Sequence, residues 1–142
     1  MREILFRGKR IDAREWVEGF YLTSPEFDNN GLAVITTDNP RQAHYVHKET
    51  VGQFTGLTDK NGKKIFEGDI ILFEDESPTN YEYHDCTEMR CGEIKFDDGQ
   101  FYLTSRVAVE MGDLIYDGEL DGEVIGNIHD NPKLLERSEN GT

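Results

Sequence analysis

One stretch constrains this chain more than any other: Gln53 to Phe73, which reads QFTGLTDKNGKKIFEGDIILF. At its centre Asp59-Lys60-Asn61-Gly62 is a turn sequence, and Asn61-Gly62 is a strong hairpin signal because both residues tolerate positive φ. Gly56 precedes the turn and Gly68 follows it. Gly68-Asp69 interrupts the second apolar stretch, as a bend or bulge at a strand entry does. Ile70-Ile71-Leu72-Phe73 is apolar without a break, which fits a strand buried on both faces. The run predicts a loop, a tight turn, a bend and a central strand.

The flanking segments read as further strands. Arg2–Arg7 is predicted as a short strand with Ile4 and Phe6 on one face, and Gly8–Asp12 as a polar connection. Arg14–Leu22 is rich in β-formers; Trp16 and Phe20 are expected to face the core, with Gly19 marking a bulge. These two strands are predicted to pair as a hairpin. Thr23–Gly31 is expected to be a loop, and Leu32–Thr37 a clear strand. Arg41–Lys48 reads as a surface strand or an irregular crossing segment. Val51 and Phe54 are expected to be buried. Glu74–Glu88 is acidic and predicts a long exposed loop. Met89–Asp97 and Gln100–Thr104 pair across an Asp97-Asp98-Gly99 turn, with Ile94 and Phe96 on one face. Ser105–Asp121 reads as a short strand plus loop, and Glu123–His129 as the last strand. Asn131 is placed as N-cap and Pro132 as the first residue of a short helical turn that docks Leu134 and Leu135. No internal repeat is visible in the sequence.

This pattern predicts an all-β protein of two small β subdomains: residues 1–57, and 58–137 with the acidic loop 74–88 inside it. Residues 138–142 form a polar tail. The second subdomain is expected to be a small SH3-like barrel.

Three segments carry a family resemblance. The string TGLTDKNGKKIFEGDI (Thr55 to Ile70) is the most specific; Met1–Arg7 (MREILFR) and Glu123–Leu135 (EVIGNIHDNPKLL) bracket the rest. Together they resemble the YopX family, small proteins found mainly in bacteriophages and prophages. The resemblance implies a mostly β fold and brings no established activity and no catalytic residues.

Charge narrows the function classes. The chain has 29 Asp and Glu against 15 Lys and Arg, a formal charge of −14. Phosphate-backbone binding draws its affinity from Lys and Arg, so direct nucleic-acid binding is disfavoured, as are anionic membranes. An acidic surface confers solubility; it also suits a basic partner met by mimicry of DNA. No run of 18 apolar residues and no secretory signal is visible, so a location in the bacterial cytoplasm is expected.

Candidate chemistry is sparse. His84, Cys86 and Cys91 form the best metal-like group, yet zinc needs a fourth ligand, which His44, His47 or His129 would supply only at long range. The plainer reading is a surface histidine and two cysteines held as thiols in a reducing compartment. Asp59 to Gly62 lacks the ligand spacing of a calcium loop. Glu67 and Asp69 share a strand face at i and i+2, which permits an acid/base pair, although Asp after Gly more commonly caps turn amides. Tyr81 and Tyr83 in the acidic loop are candidates for protein contact. No cofactor is called for. The sequence predicts a non-enzymatic protein that acts through an unidentified protein partner and through self-association as a homo-oligomer.

Overall fold

Strands dominate because β-branched and aromatic residues alternate with polar ones over short spans bounded by Gly, Asn and Asp. The structure, a computed structural model, describes residues 4–37, 42–75, 88–97, 99–104, 108–109, 115–116 and 119–135. The chain divides into two compact units, Met1–Gly56 and Leu57–Thr142.

In the first unit, strands β1 (Phe6–Lys9), β2 (Trp16–Leu22), β3 (Leu32–Thr36) and β4 (Ala43–His47) form an antiparallel meander. A 3-10 turn, Lys48–Thr50, leads into β5 (Gly52–Thr58), whose start returns to pair with β1. The sheet curls: Arg10 bridges to Val46, and the Ile11 amide donates to the Tyr45 carbonyl (3.1 Å). Ala33, Ile35 and Val46 are fully buried at its centre, with Phe6, Val17, Tyr21 and Val51 packed on them.

The second unit begins with the end of β5. A tight turn joins it to β6 (Lys64–Phe66), which pairs back on β5. β7 (Asp69–Asp75), β8 (Glu88–Asp97), β9 (Gln100–Thr104) and β10 (Ala108–Val109) make a second antiparallel meander. Strands β11 (Ile115–Tyr116) and β12 (Glu119–Leu120) pair with each other, and Glu119 meets Thr58. The last strand, β13 (Glu123–Asn127), returns to pair with β7, with Ile125 as the extra residue of a bulge. The tetrapeptide Ile70–Phe73 therefore lies in the middle strand, between β8 and β13. Ile71 and Phe73 join Ile65, Ile94, Leu103, Leu120 and Val124 in one buried cluster. A short helical turn at 133–135 ends the described chain.

The two units share one connectivity: a four-strand meander whose first strand is also paired by a fifth, the order β4-β3-β2-β1-β5 in one and β10-β9-β8-β7-β13 in the other. This is the strand order of SH3-like folds. It is present in both units, whereas the sequence led to the expectation of a small SH3-like barrel in the second alone. Among the described residues the second unit's sheet stays open and no closed barrel forms.

The repeat extends to single residues. In each unit the second strand pairs with the first over one half and with the third over the other. A glycine sits at the changeover: Gly19 precedes the Phe20–Thr36 pair, and Gly92 precedes the Glu93–Thr104 pair. A Cβ on Gly19 would run into the Thr36 carbonyl oxygen, and one on Gly92 would lie 2.8 Å from the Thr104 carbonyl oxygen. The bulge expected at Gly19 is therefore absent. The registers run through it without a shift, and the glycine serves a close backbone approach.

Other local expectations need correction. β1 starts at Phe6, with Gly8 buried inside the strand against Val46, and Ile4 is 63% exposed. Trp16 is half-buried and Phe20 is exposed, because the core side of β2 is Val17, Gly19 and Tyr21. Pro25–Asn29 forms a short helix, α1, where a loop was expected; Pro25 suits a first helical position because its missing N–H has no partner there. Val51 is half-buried and Phe54 buried. Ile94 is buried but Phe96 is exposed, its ring packed at a tilt against Phe101 with centroids 4.8 Å apart. β13 ends at Asn127, two residues before the predicted limit.

The repeated glycine yields a stability test. Gly19→Ala is expected to cost about 2–4 kcal/mol and Gly92→Ala about 1–3 kcal/mol, the larger cost falling where the new Cβ runs deeper into a backbone carbonyl oxygen. Urea midpoints of the two variants check both the magnitude and the order.

Candidate functional site

The Asp59 turn is where the organising motif meets the rest of its unit. Gly62 has φ 82°, which closes the turn after Asn61, and its amide donates to the Asp59 carbonyl (2.9 Å). The Asp59 amide donates to the Lys63 carbonyl (2.8 Å). The Asp59 side chain is buried, at 1% exposure, and its carboxylate accepts three backbone amides. Oδ1 takes those of Asn61 (2.9 Å) and Lys63 (2.8 Å); Oδ2 takes that of Val124 (2.9 Å). The Lys60 amide also donates to the Gly122 carbonyl (3.1 Å). Burial pushes the carboxyl pKa up, but the amides of Val124, Lys63 and Asn61 outweigh it and hold the value below the ordinary one.

Gly68-Asp69 repeats the device on a smaller scale. Gly68 has φ 91°, its amide donates to Ile94 (2.8 Å), and its carbonyl accepts the Ile128 amide (2.9 Å). Asp69, also 1% exposed, accepts the Phe66 amide at 2.8 Å. At the far end, Asn127 Oδ1 accepts the His129 (3.0 Å) and Asp130 (2.9 Å) amides. Asn131 was expected to cap the helical turn. Its Oδ1 instead accepts the Asn127 amide (3.4 Å) over Gly126, where a Cβ would lie 2.5 Å from that oxygen.

The structure thus gives the motif residues structural duties. Asp59 and Asp69 hold amides, and Gly56, Gly62 and Gly68 supply positive φ. Asn61 is exposed at the turn and Glu67 is half-buried. His84, Cys86, Tyr81 and Tyr83 lie outside the described residues. Cys91 is half-buried opposite Leu72, and burial raises its thiol pKa. His44 and His129 are half-buried and His47 exposed. Among the described residues no group of three metal-ligating side chains converges. Among them, too, no helix is long and apolar enough to cross a membrane.

What sequence reasoning missed is a surface. The outward side of the β2–β3–β4 sheet carries Phe20–Thr36–Ala43 in one cross-strand row, Leu22–Val34–Tyr45 in the next, and Leu32–His47 in a third. Phe20, Leu22 and Tyr45 are 54%, 56% and 50% exposed. None of the eight is Asp, Glu, Lys or Arg; Glu18, exposed on the same side of β2 and paired with Arg7 of β1, stands outside these rows. Beside them, Arg7 stacks over the Trp16 ring at 4.7 Å. The signal was present in β2, where one alternating set is Val17, Gly19 and Tyr21 and the other holds Trp16, Phe20 and Leu22, with Glu18 its one charged member.

A family model described as YopX protein matches residues 5–136 of this chain. Among solved structures, the chain is similar to the crystal structure of protein EF1440 from Enterococcus faecalis. The two are 27% identical with a TM-score of 0.55, over 95% of this chain and 99% of that one. No curated protein matches.

Asp59→Asn keeps the shape but turns an amide NH2 toward backbone donors, so at neutral pH it is expected to lose about 2–3 kcal/mol of stability. The wild-type carboxylate, with its pKa lowered by folding, contributes fully above the ordinary carboxylate pKa. That contribution is lost as pH falls through the lower folded value. Urea unfolding of both proteins from pH 7 to acid is therefore expected to show the stability difference shrinking as Asp59 protonates.

Proposed function

Because the chain belongs to the YopX family, we propose that it is a non-enzymatic phage or prophage accessory protein of the bacterial cytoplasm, working through protein contacts and self-association. The observation that carries this reading is the run of exposed apolar rows through Phe20, Leu22 and Leu32 on the outer side of β2–β3–β4, which hold no Asp, Glu, Lys or Arg. Contiguous exposed apolar surface of this kind marks interaction sites, since a lone soluble chain gains nothing from it. The buried carboxylates support the same reading: Asp59 and Asp69 accept backbone amides, which commits them to holding turns.

A second reading has its own observation. Through Gly56 the sequence carries seven Lys and Arg against eight Asp and Glu; after it, eight against twenty-one. Acidity is concentrated in the second unit, which suits a basic protein partner bound by imitation of a nucleic acid.

Sedimentation velocity over a concentration series, with a gel-shift assay at low salt, tests the first reading. The expected outcome is a sedimentation coefficient that rises with concentration, and no shift of single- or double-stranded DNA. A concentration-independent monomer would count against self-association; a DNA shift strongest at low salt would count against the exclusion of nucleic acid.

A further inference from the structure

Resting on the self-association reading, we infer that the outer side of β2–β3–β4 is an isologous dimer interface, covered by the same surface of a second copy. Across a twofold axis a surface meets itself, so any net charge on it meets its like. A chain of formal charge −14 can therefore approach its own copy only through a region free of that charge. The rows through Phe20 and Leu22 meet this condition, and they lie on the unit that carries one net negative charge rather than thirteen.

At this surface the contact is face to face rather than strand to strand. Strand addition needs a free edge. On β4 the Arg10 bridge to Val46 and the Ile11 amide already occupy that edge. On β13 the Val124 amide is taken by Asp59. Two sheets stacked through alternate side chains keep about 10 Å between them, a gap that Phe20, Leu22 and Tyr45 fill from both sides. Aromatic anchors suit this role because they bring large contact area for little lost rotamer freedom.

Sedimentation equilibrium on the full chain tests the assignment with Leu22→Glu, Tyr45→Glu and a control, Gln100→Glu, which adds the same charge at an exposed position on β9. Each interface substitution enters twice across the axis, so the dimer Kd is expected to rise about 100-fold or more, with the control within about twofold of wild type. Because Leu22 and Tyr45 are at least half-exposed, thermal melts by circular dichroism are expected to stay near wild type. Should a glutamate variant melt early, Tyr45→Ala supplies the comparison, with an expected rise of about tenfold. A wild type that never dimerises overturns self-association itself. A dimer whose Kd is unchanged in the folded variants overturns this surface and leaves self-association standing.

Discussion

The carboxylate of Asp59 is the interaction on which the second unit depends. Burying a charge is costly unless its lone pairs are met. Here two donors come from the turn that Asp59 itself begins, so they are in place as soon as Gly62 adopts positive φ. The third comes from Val124, 65 residues away, on the strand that lies beside β7. One side chain thereby ties a local turn to the last strand of its sheet. It also covers an edge amide of β13 that would otherwise be open to another chain.

The shared connectivity of the two units rests on a different constraint. A second strand that pairs with the first over one half and the third over the other must bend sharply between them. The third strand's carbonyl then comes too close for a side chain at the bend, and glycine is the residue that fits. Around that point the sequences diverge freely: Phe6 in one unit stands where Ile71 stands in the other, Tyr21 where Ile94 stands, and Ile35 where Leu103 stands. A core accepts any apolar residue of suitable volume, so a fold can recur while its sequence repeat becomes invisible. The glycines and the two threonines opposite are what remains.

Local chemistry made the organising motif legible. Asn61-Gly62, Gly68-Asp69 and the unbroken Ile70–Phe73 each act over a few residues, and each holds the place expected of it. Asp69 as an acceptor of turn amides followed from the same logic. The partner of Asp59 did not, because nothing near Val124 announces a carboxylate from the other end of the unit. The orientation of β2 failed for a related reason. Trp16 and Phe20 share a side, as period-two spacing requires, but Val17 and Tyr21 offer an equally apolar alternative. Only the packing of Ala33, Ile35 and Val46 decides which set goes inside.

That misreading carries information about the surface. A strand whose two alternating sets are both largely apolar, as those of β2 are apart from Glu18, is usual where a sheet is covered on both sides. The core of the first unit covers one side of β2. The other side leaves Phe20 and Leu22 more than half exposed, and the adjoining strands extend the same character through Val34 and Tyr45. If solvation were the only demand on these positions, charged side chains would serve better, and the second unit has them in abundance. The outer half of β2 from Phe20 to Leu22 has the pattern of a strand with a second layer to meet, and the absence of charge in the rows through these two residues fits a layer supplied by an identical chain.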